Sequence, residues 1–294
     1  MKKDSLKYSL AVVLYGTIGM FLRWIRFPSE LVVLCRGVIG AAVVWLIVRL
    51  QGKRMNLSAI RKNLLWLVLS GVCLGLNWIF LFAAYLHTTV AVASLCNYLA
   101  PVIVVLLAPL LYRERLSPKK LLCVGAAVVG VVLISGVLES VPSDINGLGI
   151  LFGLLAALGF VGIILCNRKM EGLNAFDKVI VQLAVSALTV LPYALFKNIG
   201  SPITFDLRSV LLTLMLALIH TGFAYCLYLD SLGKLPIHSV AVLGYLEPVV
   251  SVLCSVFILG EKMTVLGWVG AVLIIGAAAA SELIREKRRP EKAF

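Results

Sequence analysis

The chain has 294 residues, of which 61% are hydrophobic and 14% charged, and its mean hydropathy is +1.04. About a quarter of the residues in a soluble domain are charged, so this composition excludes an ordinary soluble protein and indicates one that crosses a membrane several times. The net charge of +13 does not indicate nucleic-acid binding, because the basic residues lie between apolar runs rather than on one face of a soluble domain.

Ten apolar segments are long enough to cross the membrane as helices, which requires about 20 residues each. They lie at 7–24, 30–50, 63–85, 88–112, 118–138, 147–167, 175–197, 207–230, 236–259 and 263–283. The uncharged run 63–112 is too long for one helix, so a turn is predicted at Leu86-His87-Thr88-Thr89. Residues 8–22 could pass for a signal peptide, but Arg23 and Arg26 follow them where small residues would be needed, so we keep the first segment as a membrane span.

The basic residues predict the orientation of these spans. Ten spans place both termini on one side of the membrane, and 21 of the 27 Lys and Arg residues fall on that side, with Arg36 inside the second span. The opposite side holds Arg23, Arg26, Lys197, Arg208 and Lys262. By the positive-inside rule, both termini are expected to be cytoplasmic, in a multi-pass protein of the plasma membrane.

The second half of the chain repeats the first at an offset of 147 residues. Tyr-Leu-Ala-Pro at 98–101 returns as Tyr-Leu-Glu-Pro at 245–248, and Gly-Leu-Asn-Trp at 75–78 falls on Gly-Phe-Ala-Tyr at 222–225. A glutamate follows each Pro at the same distance, as Glu114 and Glu261. Because each copy holds five spans, an odd number, the two copies are inverted in the membrane, and a binding site is expected at their interface near the midplane.

The predicted fold is therefore an all-α integral membrane protein with ten transmembrane helices in two inverted five-helix repeats. The first repeat spans 1–138 and the second 147–284. An outer linker at 138–147 joins them, and a basic cytoplasmic tail occupies 285–294.

The motifs resemble those of the EamA family of the drug/metabolite transporter superfamily. The shared features are a glycine in the first span, Arg36 in the second, a glycine followed by an aromatic residue in the third, Tyr-Leu-x-Pro in the fourth and Glu-x-x-Ser/Thr before the fifth. The resemblance implies a secondary transporter, with export favoured, of small organic metabolites such as amino acids. One departure is that the family's Leu-Trp-Gly reads Leu14-Tyr15-Gly16 here.

Pro101 and Pro248 fall near the middle of the fourth and ninth spans. Each proline removes one backbone donor and frees the carbonyl four residues earlier, that of Asn97 or Gly244. Such carbonyls must be satisfied by protein or water, so we predict kinks that line the cavity. A kink with a purely structural role is the alternative.

Glu247 is the most informative single residue. Its counterpart in the first repeat is Ala100, and an ionisable group at the centre of a membrane helix costs about 2.5 to 3.5 kcal/mol or more. We expect it to carry protons and couple transport to a proton gradient. The alternative is a neutral carboxyl group bonded to a neighbouring helix, in an uncoupled facilitator or exchanger.

Polar and aromatic residues in spans three, four, eight and nine are expected to bind the substrate. In span eight several share a helical face that could stack on a ring or hold a zwitterion. The predicted binding residues are Asn77, Trp78, Asn97, Tyr98, His220, Thr221, Tyr225 and Tyr245. The alternative is an aromatic stripe that serves only packing.

Five other charged residues have simpler interpretations. Snorkelling of Arg36 towards the outer surface is at least as plausible as binding a substrate carboxylate. Glu114 and Glu261 are expected to form solvated charge pairs or helix caps at the membrane surface, and Asp230 is expected to pair with Lys234.

A membrane-embedded enzyme and a channel are the competing classes. The sequence has no His-Glu-x-x-His, Gly-x-Ser-x-Gly or nucleotide-binding motif, so we expect no enzyme, no cofactor and no direct use of ATP. The seven cysteines lie in apolar runs without a Cys-x-x-Cys pair, and no metal site is expected.

The expected partners are a small-molecule substrate and the lipid bilayer, not nucleic acid. The sequence does not indicate the oligomeric state.

Overall fold

The computed structural model describes residues 2–112, 118–134, 147–197, 206–232, 234–235 and 237–283. All regular secondary structure in these residues is helical. Glu114, the tail 285–294 and all but the last residue of the predicted linker lie outside the described residues.

The first half of the chain forms seven helices within its described part. They are α1 (Lys2–Arg23), α2 (Ser29–Leu50), α3 (Leu57–Lys62), α4 (Leu64–His87), α5 (Val90–Asn97), α6 (Ala100–Tyr112) and α7 (Pro118–Ile134). The second half adds seven α-helices and two π-helical segments, again within the described residues. They are α8 (Gly147–Arg168), α9 (Ala175–Lys197), α10 (Leu207–Met215), π1 (Leu216–Phe223), α11 (Ala224–Leu232), α12 (Ile237–Gly244), α13 (Leu246–Leu253), π2 (Cys254–Ile258) and α14 (Val265–Leu283).

Seven helical segments of the described chain are long and apolar enough to cross a membrane. They are Lys3–Arg23, Ser29–Leu50, Leu64–His87, Val90–Leu107, Gly147–Arg168, Ala175–Lys197 and Leu207–Leu232. Three shorter apolar helices, Leu121–Ile134, Val242–Ile258 and Val265–Ala280, lie at the remaining predicted segments. The structure is thus that of a multi-pass helical membrane protein.

The turn predicted between the third and fourth spans is confirmed. α4 ends at His87, Thr88 has an extended backbone, and the Thr89 side chain accepts a hydrogen bond from the Val92 amide at 3.2 Å. A threonine at this position satisfies one of the unpaired amides at the start of α5.

The two Tyr-Leu-x-Pro motifs interrupt their helices. α5 ends at Asn97 and α6 begins at Ala100, while α12 ends at Gly244 and α13 begins at Leu246. Each proline lies in the first turn of the new helix, where the missing N–H leaves no hydrogen bond unmade. The motif therefore divides each segment into two short helices.

Helix packing brings these interruptions towards α1. α4 packs along α8 and α9, α2 packs on α9 and π1, and α1 contacts both α11 and α13. A Cβ atom built on Gly16 would lie 2.6 Å from the Glu247 carbonyl oxygen, so the backbones of α1 and α13 are in direct contact there. Glycine is required for this approach.

Candidate functional site

A small cavity lies where α1, α4, α5 and α13 meet. Its lining consists of Tyr15, Gly16, Leu81, Tyr85, Ser94, Asn97, Tyr98, Glu247 and Ser251. Its volume of about 20 Å³ has room for about one or two water molecules. That volume is too small for a metabolite, so in this conformation the cavity is closed to a substrate.

Glu247 lies in the first turn of α13, next to the interruption of that helix. Its carboxyl group is hydrogen-bonded to the side chain of Tyr98, which lies at the equivalent interruption in the first half. Arg36 interacts with Glu247 electrostatically, but the two form no ion pair. The cavity thus holds a carboxyl group that has a tyrosine neighbour and no directly paired cation in the part of the chain described.

Tyrosine rings from α1 and α11 form an aromatic wall beside Glu247. The ring centroids of Tyr15 and Tyr225 are 5.6 Å apart, those of Tyr15 and Tyr228 are 6.1 Å apart, and those of Tyr8 and Tyr228 are 5.1 Å apart. These rings meet because α1 packs along α11.

His220 and Thr221 lie in π1 and are both buried. His220 Nε2 is 3.1 Å from Thr17 Oγ1, and its ring contacts Phe21 edge-on at 5.2 Å. The Thr221 hydroxyl donates to the Leu216 carbonyl at 3.0 Å, which satisfies an acceptor within the widened turn. π-helical turns are often found at functional sites, and this one aims its side chains at α1 and α2.

Asn77 joins three helices. Its Nδ2 atom donates to Asn97 Oδ1 at 2.9 Å and to the Ala156 carbonyl at 2.8 Å, and both asparagines are buried. The Asn77 amide thus ties α4 to α5 and α8, and Asn97 presents the remainder of its side chain to the cavity.

Arg36 points into the bundle, and the expectation that it snorkels to the surface is wrong. Its side chain is 3% exposed, and its Cζ atom lies 4.4 Å from the Trp78 ring centroid and 5.5 Å from that of Phe82. Its Nε atom donates to Thr221 Oγ1 at 3.0 Å. Two aromatic faces and a hydroxyl group give the guanidinium favourable contacts within the bundle that a surface position would lack.

Only part of the predicted binding set lines the cavity directly. Asn97, Tyr98 and Glu247 do, whereas Asn77, Trp78, His220, Thr221, Tyr225 and Tyr245 lie outside its lining. The cavity residues that the sequence did not indicate are Tyr15, Tyr85, Ser94 and Ser251. Tyr15 had a signal, since it replaces the aromatic residue that the family carries next to Gly16. The two serines, whose hydroxyls are 2.7 Å apart, had none.

Ion pairs connect the helices at both ends of α1. Near its end, Arg23 Nη2 contacts Glu261 Oε1 at 2.7 Å, and the second oxygen of Glu261 accepts from the Val90 amide at 2.8 Å. Near its start, Lys7 contacts Asp230 at 2.6 Å. Glu261 therefore caps α5. Asp230 pairs with Lys234 at 2.7 Å, as the sequence predicted, and also with Lys7.

Comparison with known proteins identifies the family. The model of the EamA-like transporter family matches residues 6–136 and, a second time, residues 147–281. The chain belongs to this family. The family and the named relatives are transporters, consistent with the drug/metabolite transporter superfamily.

Relatives of this EamA protein occur in bacteria and in the archaeon Archaeoglobus fulgidus. The uncharacterized transporter YxxF of Bacillus subtilis is 26% identical over 283 residues, covering 96% of this chain and 90% of the relative. A probable amino-acid metabolite efflux pump of Escherichia coli is 27% identical over 185 residues, covering 58% and 60% of the two chains. A solved crystal structure has a TM-score of 0.65 at 23% identity, covering 96% of this chain and 98% of the other, which shows a shared fold.

Proposed function

We propose that this EamA protein is a secondary active transporter that exports amino acids or related small metabolites and is coupled to protons through Glu247. The observation that carries the proposal is the Glu247 carboxyl group, which lies at a helix interruption in a closed cavity with no ion-pair partner in the described residues. An ionisable group inside a membrane bundle is costly and marks a transport pathway or a proton relay. We propose no catalytic activity, since the family and the named relatives are transporters.

The proposed architecture has ten membrane helices in two inverted repeats, 1–138 and 147–284, with both termini in the cytoplasm. Three observations support it. The family model matches twice, the helix interruptions occur at equivalent positions of the two halves, and three shorter apolar helices accompany the seven long spans. Interrupted helices at the interface of inverted repeats are typical of secondary transporters.

Coupling follows from competition for one carboxyl group. An ammonium group of the substrate pairs with Glu247 only when the carboxyl group has lost its proton, so substrate and proton occupy it alternately. Such exchange is antiport, and a proton gradient directed into the cell then drives the metabolite out. The groups that act on Glu247 electrostatically or by hydrogen bonding are Tyr98, Arg36, Tyr15, Tyr85 and Tyr225.

Alternating access requires the closed cavity to open towards either side. The Arg23–Glu261 pair lies at one end of α1 and the Lys7–Asp230 pair at the other, roughly 24 Å apart at 1.5 Å per helical residue. Each pair joins α1 to an element of the second half. Breaking one pair while the other persists opens the cavity at one end only.

The test is replacement of Glu247 by Gln, which keeps the size and hydrogen bonding of the side chain but removes titration. In proteoliposomes we expect loss of accumulation driven by a proton gradient, while substrate counterflow persists at raised substrate concentration, because the Gln amide oxygen still accepts a hydrogen bond from the ammonium group but no longer pairs with it as an ion. The matched control is Glu171→Gln, because Glu171 is exposed on a loop away from the cavity. Gradient-driven accumulation by Glu247→Gln would show instead an uncoupled facilitator or exchanger, or coupling elsewhere.

A further inference from the structure

Arg36 is a buried cation without a carboxylate partner. It lies in α2, is 3% exposed, and is absent from the ion pairs of the described residues. Removing a guanidinium from water costs several kcal/mol unless a counter-charge or hydrogen bonds replace its hydration. Its one hydrogen bond to a described residue runs from Nε to Thr221. The two Nη nitrogens, which form the fork of the guanidinium, therefore remain for another acceptor.

The fork is held in one orientation. The Cζ atom of Arg36 lies 4.4 Å from the Trp78 ring centroid and 5.5 Å from that of Phe82, and the bond to Thr221 fixes the Nε edge of the guanidinium. Thr221 is fixed in turn by the Leu216 carbonyl in π1. A guanidinium that is held in place loses little side-chain entropy when an anion binds, and its paired N–H groups match the two oxygens of a carboxylate.

This fork lies beside the cavity that contains Glu247. The groups with which Arg36 interacts electrostatically are Tyr225, Tyr85, Tyr15 and Glu247, and three of these four line the cavity. The Tyr15 hydroxyl interacts with both charged groups and has no hydrogen-bond partner among the described residues. Arg36 itself does not line the cavity: it lies behind the cavity wall, against Phe82, whose ring centroid is 6.0 Å from that of the lining residue Tyr85. A substrate that binds both charges therefore requires the cavity to widen towards α2.

We propose that Arg36 binds the carboxylate of the substrate while Glu247 binds its ammonium group, so that the site selects zwitterions of the α-amino acid type. This inference rests on the proposed function, because it places the substrate in the transport cavity. Binding two opposite charges at two fixed points favours a zwitterion over an amine, which leaves Arg36 unpaired in the membrane interior, and over a carboxylic acid, which makes no ion pair with Glu247.

Binding to purified protein tests this directly. The probes are the twenty proteinogenic L-amino acids and, for each that raises the unfolding temperature, the amine lacking its carboxylate and the acid lacking its amino group. In Arg36→Gln we expect affinity for the amino acid and the acid to fall by about 10- to 100-fold and affinity for the amine to change by less than about threefold. Arg36→Lys, which keeps the charge but loses the fork, should fall between wild type and Arg36→Gln.

Two further variants keep the inference testable if Arg36→Gln fails to fold. Trp78→Phe should abolish the change in tryptophan emission on amino-acid binding while leaving thermal stabilisation in place, because a carboxylate at Arg36 lies against that ring. Thr221→Val removes the hydrogen bond that orients the fork, so it should lower the affinity for the amino acid more than the affinity for the amine. A merely structural Arg36 predicts equal loss for all three probe types.

The inference is overturned if no carboxylate-bearing probe stabilises the wild type, or if Arg36→Gln or Arg36→Lys binds the amino acid as tightly as wild type does. Its failure differs from failure of the proposed function. Carboxylate binding at Arg36 without any counterflow would contradict transport and keep the inference. Amino-acid counterflow that is unaffected in Arg36→Lys would keep transport and contradict the inference.

Discussion

At the scale of single residues, the structure separates side chains that face the cavity from those that hold helices together. Glu247 and Tyr98 contact each other in the cavity, whereas the side-chain amide of Asn77 donates to Asn97 and to the Ala156 carbonyl. Sequence position alone does not distinguish these roles, because both kinds of residue are polar groups in apolar helices. The distinction depends on which neighbouring helix supplies an acceptor.

The structural role of Asn77 makes a prediction. Asn77→Leu removes both hydrogen bonds and leaves the buried Ala156 carbonyl without this donor, so we expect a loss of about 1 to 2 kcal/mol in the free energy of unfolding. Unfolding in mixed micelles of increasing denaturing-detergent content measures it. Substrate affinity should change little. Unaltered stability with an affinity loss of about tenfold or more would instead place Asn77 in the substrate contacts.

At the scale of elements, the helix boundaries were largely predictable and the irregular turns were not. The ten predicted segments match the helices of the described residues to within a few residues. The fourth segment ends with α6 at Tyr112, the ninth begins next to α12 at Ile237, and the predicted end of the fifth at 138 lies outside the described residues. Hydrophobic length determines these boundaries. No pattern in the sequence distinguished π1 and π2 from ordinary α-helix. The contact of Arg36 with Thr221 in π1 therefore could not be predicted from the spacing of residues.

Removing the ion pair at one end of α1 or at the other should open the cavity towards opposite sides of the membrane. Glu261→Gln should make a cysteine placed at Ser94, in a background lacking the seven native cysteines, react faster from the side that carries Arg23. Asp230→Asn should accelerate its reaction from the other side. Partly exposed pairs contribute up to about 1 kcal/mol, so each change should be no more than about fivefold. Labelling with membrane-impermeant thiol reagents in sided vesicles measures both, and acceleration from the same side in both variants would contradict the assignment of the two ends.

At the scale of the whole molecule, the internal repeat was the strongest signal in the sequence. The offset of 147 residues predicted two equivalent helix interruptions, and α5/α6 and α12/α13 are divided at those positions. The inverted arrangement and the domain bounds stay predictions. The repeat could not indicate Tyr15, Ser94 or Ser251, because the cavity is asymmetric and these residues have no counterparts of the same type at that offset.

The central claim is that substrate and proton exchange at Glu247, and the proton movement itself is its most direct test. Proteoliposomes loaded with a pH-sensitive dye receive an external amino acid that the binding screen has identified. The account predicts that entry of the amino acid drives protons out, so the lumen becomes alkaline with wild-type protein. The lumenal pH does not change with Glu247→Gln, although labelled substrate still exchanges when its concentration is raised to offset the weaker binding. Entry of the amino acid through wild-type protein with no change in lumenal pH would contradict it.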